Sequence, residues 1–390
     1  MADFNKESQI LVTCPKNIAP VLAEEIKGLG FSVLNMQPAF VELKGSLTDC
    51  MKLNLWLRTA HKVLYKIAVF KASNPDQLYQ IVKRINWEEF IPADGFFSVS
   101  SQVVNEHIRD TRFANLRVKD AIADRIKDKK GIRPDSGSER HGIVIFLHWK
   151  EDDASIFIDT SGETIAKHGY RKLPHKAPMQ ETLAAAVILT SVWKPGQNFI
   201  NPMCGSGTLA IEAALIACNI APGVFRDNFG FMHLVGFPII EWRNLSDAAE
   251  SGEKELQGRF VLSDIDPQAI EVSRKNALCA GFKWELEFEI CPFEETQIPE
   301  NEDGVVILNP EYGERLGEIS ELTETYQAIG DFFKKKCNGY TGYIFTGNAD
   351  LAKKIGLRPK RKIPFYNGQI EARLLEYELY SGSRKSKYNL

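Results

Sequence analysis

Apolar and polar positions alternate in two registers along the first fifty residues. Gln9–Thr13 alternates around Ile10 and Val12, the period of a half-buried strand. Pro15 breaks that run, and Ile18, Val21, Leu22 and Ile26 follow at helical spacing until Gly28 and Gly30 stop the helix. Ser32–Leu34 and Ala39–Leu43 predict two short strands punctuated by Gly45, so the segment reads as a small α+β unit. Over 51–165 the pattern predicts helices around Met51–Thr59 and Pro75–Ile85, then a strand at Phe96–Ser101. A helix at Asn115–Lys127 follows, with Leu116, Val118, Ala121, Ile122 and Ile126 on one side and Arg117, Lys119, Arg125 and Lys127 on the other. Beyond a loop at 131–142, Ile143–Trp149 and Ala154–Thr160 flank the acidic turn Glu151-Asp152-Asp153 and predict a hairpin.

From about residue 166 the period changes. Short, fully apolar strands at Asn198–Asn201, Arg259–Ser263, Gly304–Leu308 and Gly342–Phe345 alternate with helices at Glu181–Val192, Gly207–Ala221, Pro267–Ala280 and Leu322–Lys336. That alternation predicts a parallel, doubly wound sheet. The end differs: Lys360–Tyr366 and Gln369–Tyr380 predict an antiparallel hairpin across an Asn367-Gly368 turn. Residues 223–257 read as an insertion, with Phe225, Phe229 and Phe231 serving either RNA stacking or core packing.

Composition adds little until charge is resolved by region. The chain has 390 residues and a net charge of −3. Residues 51–175 nonetheless carry 21 Lys and Arg against 16 Asp and Glu, and Arg109–Arg133 alone nine against four. A basic stripe on an acidic chain fits either a nucleic-acid footprint or a solvated helix face. No apolar run approaches the ~20 residues that cross a bilayer, and the start lacks a signal-peptide pattern. The seven cysteines are scattered without a C-x-x-C pair, and His107, His141, His148, His168, His175 and His233 show no ligand spacing. The expectation is a cytoplasmic protein without a metal site.

Three motifs carry chemistry. Asn201–Thr208, N-P-M-C-G-S-G-T, lies at a strand end and opens a helix, where ligands of open α/β sheets bind. Gly205 and Gly207 allow close backbone approach, while the absent Walker lysine and the failed G-x-G-x-x-G spacing disfavour triphosphate-binding loops and dinucleotide oxidoreductases. Ser206 lacks a nucleophile-elbow context and reads as a loop hydroxyl. One βαβ repeat later, S-D-I-D-P offers Asp264, and second Asp266, as acceptors for ribose hydroxyls, although Asp266-Pro267 also suits a helix start. After the third strand comes N-P-E-Y: the Asn309 side chain and the Pro310 carbonyl can each accept one amine hydrogen, and Tyr312 offers a stacking face to a base rotated out of its helix.

These motifs, with L-R-V-K-D-A-I at 116–122, H-G-Y-R-K at 168–172, A-P-M-Q-E-T-L-A-A-A at 177–186 and E-Y-G-E-R-L at 311–316, resemble the THUMP-domain class I RNA methyltransferases that use S-adenosyl-L-methionine (SAM), closest to the bacterial 23S rRNA guanine-N2 methyltransferases. The resemblance covers essentially the whole chain. It implies an α/β fold in which a Rossmann-like methyltransferase domain (166–390) follows an α+β ferredoxin-like domain (1–55) and a THUMP RNA-binding domain (56–165). It implies SAM as cofactor, RNA as partner (ribosomal first, transfer RNA second), and methylation of an exocyclic guanine amine. Glu181 and Thr182 would approach the methionine part, Asn201, Met203, Cys204, Gly205, Ser206 and Gly207 would line the cofactor, Asp264 would bind ribose, and Asn309 would face both substrates. Arg109, Arg112, Arg117, Lys119 and Arg133 are the expected phosphate contacts; the tail residues Arg384, Lys385 and Lys387 are weaker ones.

Two positions depart from the family pattern. Glu311 replaces the second proline of N-P-P-Y and is expected to accept hydrogen bonds from a guanine edge. In Cys291-Pro292-Phe293 a proline replaces an adenine-contacting Asp, leaving Phe293 and its backbone. Rival expectations are a transfer-RNA guanine-N2 or adenine-N6 methyltransferase, and an RNA-assembly factor with a weakened site.

Overall fold

The structure is a computed structural model. It describes residues 1–106, 108, 110–173, 179–300, 303–313 and 318–380. Arg109, His107, His175, the stretches 177–178 and 314–316 of two family strings, and Arg384, Lys385 and Lys387 lie outside the described residues. The chain divides into two compact units: Met1–Cys14, Leu22–Ala166 and Ala221–Ser251 form the first, and Pro15–Val21, Lys167–Ile220 and Gly252–Leu390 the second.

The first unit is built on one eight-stranded sheet. In chain order it uses β1 (Ser8–Thr13), α1 (Ala19–Gly28), β2 (Val33–Gln37), β3 (Phe40–Gly45), α2 (Leu47–Trp56), β4 (Lys62–Lys71), α3 (Pro75–Lys83), β5 (Phe96–Val104), α4 (Thr111–Lys130), β6 (Asp135–Gly137), β7 (Ile143–Lys150) and β8 (Asp153–Asp159), with the strands ordered β2-β3-β1-β4-β8-β7-β5-β6. Helix starts follow local chemistry. Ser46 and Asp49 form a reciprocal capping box on α2, Asn74 caps α3 ahead of Pro75, and Asp110 caps α4. Gly131, at φ +76°, ends α4 in the left-handed conformation that glycine tolerates.

The expected β7–β8 hairpin forms, with Lys150 opposite Asp153. Two strands in this unit were not read from the pattern: β4, predicted as no element at all, and β6, placed within a loop. The first half of β4 has Val63, Leu64 and Tyr65 consecutively buried, so it lacks the alternation that marks a one-sided strand. On α4, Val118, Ala121, Ile122 and Ile126 are buried as expected, whereas Leu116 is exposed. Phe229 and Phe231 stack at 5.1 Å, fully buried and packed on Trp242, so their role is core packing.

The second unit begins with α5 (Glu181–Thr190), β9 (Asn198–Pro202) and α6 (Thr208–Ala217). The chain then contributes α7 (Ile239–Ser251) to the first unit and returns as β10 (Phe260–Asp264), α8 (Pro267–Cys279), β11 (Glu287–Ile290), β12 (Gly304–Leu308), α9 (Glu318–Lys336), β13 (Thr341–Thr346), α10 (Ala349–Lys354), β14 (Arg361–Asn367) and β15 (Ile370–Glu378). Strand order is β11-β10-β9-β12-β13-β15-β14, parallel through β13 and antiparallel at β15 and β14. β11 was not predicted; its E-F-E-I sequence is a four-residue edge strand with half its positions charged.

Strands β9 and β12 are buried at every position, which accounts for the unbroken apolar run of β12 and for Phe199 and Ile200 side by side in β9. Ile200, Val306, Leu308, Ile329, Phe333 and Tyr377 join one core that fixes where the strand ends fall. The closing hairpin forms, but not through Asn367-Gly368. Asn367 pairs with Ile370, which leaves Gly368 and Gln369 as the turn. Gly368 has φ +62° and Gln369 is not left-handed, the pattern of a II′ turn with glycine first.

Candidate active site

Because β10 and β11 extend the second unit's sheet to one side of β9, and β12 and β13 to the other, the crevice beyond β9 and β12 is the topological switch point. All three motifs end at this edge. The first leaves β9 in a loop whose alternate residues, Met203, Gly205 and Gly207, have φ of +55°, +56° and +77°. Positive φ favours glycine, and glycine is needed where space is also short. A Cβ on Gly205 would meet open space, whereas one on Gly207 would lie 2.1 Å from Ser273 Oγ.

Asp264 organises this loop. Its Oδ2 accepts from the Gly205 N–H at 2.9 Å and its Oδ1 from the Asp266 N–H at 3.0 Å. Asp266 in turn caps α8, accepting from Gln268 N–H at 2.9 Å, so the helix-start reading of Asp266-Pro267 holds. Asn276 accepts from the Leu173 N–H and donates to the carbonyls of Leu173 and Ser206. The Cys204 thiol is pushed up by burial, with the Asp264 charge adding to the effect, so it is not a thiolate nucleophile at neutral pH. Ser206 Oγ lies 3.1 Å from Thr208 Oγ1, as a loop hydroxyl would.

At the start of α5, Glu181 and Thr182 are buried. Arg171, from the H-G-Y-R-K string, reaches Glu181 Oε2 at 2.9 Å, the Met179 carbonyl at 2.6 Å and Thr208 at 3.3 Å. Burial pushes the Glu181 carboxyl up, and the Arg171 guanidinium opposes that shift. Arg171 was not among the expected site residues, although its string was part of the resemblance.

Past β12, Asn309 is half-buried and its Oδ1 is buried without a donor among the described residues. The side-chain oxygens of Asn201 and Thr182 are orphaned in the same way, while Asn201 Nδ2 donates to the Ile307 carbonyl at 2.9 Å. Pro310 is buried, Glu311 exposed and Tyr312 half-buried. The end of β13 holds this turn. Thr346 Oγ1 lies 2.9 Å from the Tyr326 hydroxyl, which donates to the Glu311 carbonyl at 3.3 Å, and Asn348 Nδ2 donates to the Tyr312 carbonyl at 3.2 Å. Phe293 is buried edge-on against Phe332 at 5.8 Å, in the core.

Among the expected phosphate contacts in the first unit, Arg117 pairs with Asp76 at 2.6 Å and lies over the Tyr79 ring. Arg133 is shared by Asp120 and Asp124, and Arg112 pairs with Asp110 on its own helix. Lys119 forms no ion pair among the described residues. No group of three metal-ligating side chains occurs among the described residues, and no helix there is long and apolar enough to cross a membrane.

A parallel sheet in this order, closed by an antiparallel hairpin and bearing chemistry at successive strand ends, defines a Rossmann-like methyltransferase domain, here joined to ferredoxin-like and THUMP domains. The chain belongs to the family described as RMKL-like, methyltransferase domain, whose model matches residues 168–376; an RlmL ferredoxin-like domain matches 9–64 and a THUMP domain 72–159. It is 38% identical to the ribosomal RNA large subunit methyltransferase K/L of Syntrophotalea carbinolica over 95% of this chain and 53% of that protein. It is 33% identical to a Synechocystis protein provisionally named RNA methyltransferase slr0064, over 94% of this chain and 96% of that one. The solved structure of SMU.472, provisionally called a methyltransferase and complexed with SAH, superposes with a TM-score of 0.87 at 29% identity, covering 97% of this chain and 99% of that one. The chain spans about half the length of the first K/L relatives it matches.

Proposed function

We propose that this chain is a SAM-dependent RNA methyltransferase acting on the exocyclic N2 amine of a guanine, in large-subunit ribosomal RNA. The observation that carries the reading is the orphaned, buried Oδ1 of Asn309 at the switch point of the sheet. A buried acceptor without a donor costs stability unless a ligand supplies one. An exocyclic amine does so, and the family and relatives above make RNA the source of that amine. The reading divides the chain at 55/56 and 165/166 and locates the protein in the cytoplasm, where such RNA is made.

The residues present fit SAM. Asn201 and Thr182 keep unpaired buried oxygens, and Gly205 leaves open space beside a carboxylate that already orders the loop. Asp264, with lone pairs left on both oxygens, would take the ribose hydroxyls; Glu181 and Thr182 would hold the methionine end; and Asn201, Met203, Cys204, Gly205, Ser206 and Gly207 would line it, with Phe293 behind. SAM supplies an electrophilic methyl on a sulfonium, a leaving group good enough that no covalent enzyme intermediate is needed. The chain's task is to prepare the amine. An aromatic amine's lone pair is delocalised into its ring. Acceptance of one N–H by Asn309 Oδ1 and of the other by the Pro310 carbonyl favours a pyramidal nitrogen whose lone pair points outward. Tyr312 stacks the extruded base, and exposed Glu311 accepts from the guanine edge, which offers N–H donors where adenine offers an acceptor.

Incubation of the protein with labelled SAM and ribosomal or transfer RNA, followed by nucleoside mass spectrometry, tests the reading. The expected product is N2-methylguanosine in ribosomal RNA. Asn309→Ala should lower the single-turnover rate about 10²-fold or more, the scale of losing one preorganised polar group at the reacting centre. Glu311→Pro should erode selectivity for guanine over adenine. Methyladenosine as the product, or none with bound SAM and native precursor RNA, would overturn the assignment.

A further inference from the structure

The Asn367-Gly368 pair reads from sequence as a turn and nothing more. In the structure Asn367 is the last residue of β14, and the turn is made by Gly368 and Gln369. Its side chain is therefore not consumed by turn geometry. Asn367 Nδ2 instead donates to the Tyr312 hydroxyl at 2.7 Å. Topology explains how a residue 55 positions later meets the site. Strands β9, β10, β12 and β13 all end at the ligand edge, and β15 runs against β13, with Thr346 opposite Arg373. A strand antiparallel to β13 must begin where β13 ends, so the turn before β15 is delivered to that edge.

The ring also occupies space that a side chain after β13 would need. A Cβ built on Gly347, directly after β13, would stand 3.1 Å from both Cδ2 and Cε2 of Tyr312 and 2.9 Å from Cγ2 of Ile370. Gly347 is not in the left-handed region, so the backbone does not demand glycine there; the Tyr312 ring and Ile370, Asn367's own cross-strand partner, do. Tyr312 is thus held at its phenol oxygen by Asn367 and at its backbone carbonyl by Asn348, while Gly347 leaves the ring the space it occupies.

We propose that Asn367 and Gly347 are positioning residues of the transfer reaction, setting the plane in which Tyr312 receives the extruded base, so that the closing hairpin belongs to the base-binding half of the site. This rests on the function proposed above. A stacking surface discriminates only if its plane is fixed before the base arrives, because ordering it on binding consumes affinity. A phenol that accepts from Asn367 also keeps its own hydrogen free.

The test is a double-variant cycle on the full chain, reading single-turnover methyl transfer to RNA alongside SAM affinity by calorimetry. Asn367→Ala should lower transfer about five- to tenfold, the scale of one net hydrogen bond, with SAM affinity within about twofold of the parent, a margin small against that loss. In a Tyr312→Phe background, which lacks the acceptor, Asn367→Ala should have no further effect. A merely structural role in the hairpin would persist in that background, so additive losses would overturn the proposal, as would an unchanged rate for the single variant. Gly347→Ala, whose Cβ would press on the Tyr312 ring and on Ile370, should also reduce transfer while SAM still binds; full activity there would overturn the role given to Gly347. A wild-type protein that transfers no methyl to RNA removes the function proposed above, whereas an active wild type with an additive cycle removes this proposal alone.

Discussion

At the residue scale the two glycines of the first motif separate two demands that a sequence shows as one. Both have positive φ, but only Gly207 also lacks room for a side chain. Gly205→Ala should therefore cost about 1–2 kcal/mol from left-handed backbone strain alone. Gly207→Ala should cost more and weaken SAM binding more. Ser273→Ala in the same chain should recover part of that loss, because it removes the Oγ that the new Cβ would meet at 2.1 Å. Thermal melting and calorimetry check this; no recovery on removing Ser273 Oγ would show that backbone strain, not contact, governs the site. The motif itself was legible because strand, glycines and helix are contiguous in the chain. Ser273, Asn276, Arg171, Asn348 and Asn367 were not legible as partners, because each arrives from a different element and carries no local signature of its contact.

At the element scale, periodicity recovered the parallel strands β9, β10, β12 and β13 and the helices α6, α8 and α9 between them, but not β4, β6 or β11, nor the helices α7 and α10. A central strand between β1 and β8, buried across Val63–Tyr65, has no polar face to alternate with. The basic face of α4 was equally visible, yet its chemistry depends on neighbours. Arg125 reaches the Glu88 oxygens at 2.6 and 3.0 Å and Asn86 at 2.7 Å, and both members of the ion pair are largely covered. Hydrogen bonding from that guanidinium holds Glu88 below its ordinary value of 4.5. A lowered carboxyl contributes stability that is present above its unfolded value and lost as pH falls through its folded value. Glu88→Gln should thus destabilise the first unit by about 1 kcal/mol at pH 7. The gap from the parent should shrink steadily as pH falls below 4.5. Urea titrations across pH read this directly, and a gap independent of pH would assign the loss to packing.

At the scale of the whole molecule, regional charge outweighs the net value of −3. The surplus over 51–175 is concentrated in Arg109–Arg133, nine basic against four acidic side chains on and beside α4, and those cations are not equivalent. Arg133 already serves two carboxylates and Arg117 one, so removing either also frees acidic charge. Lys119→Ala should lower RNA affinity and reduce the slope of log affinity against log salt by about one. Arg133→Ala should change that slope less. Filter binding over a salt series checks the ranking, and equal slopes would show that the internal ion pairs open on RNA.

Sequence alone determined the parallel α/β sheet, the three strand-end motifs and the regional charge, because each depends on spacing within one stretch of chain. Tertiary structure decided the rest: which arginines are already neutralised, which aromatics belong to the core, and that Asn367 holds a tyrosine rather than a turn. Those outcomes depend on distances between elements far apart in the chain, and such distances are set only when the sheet closes.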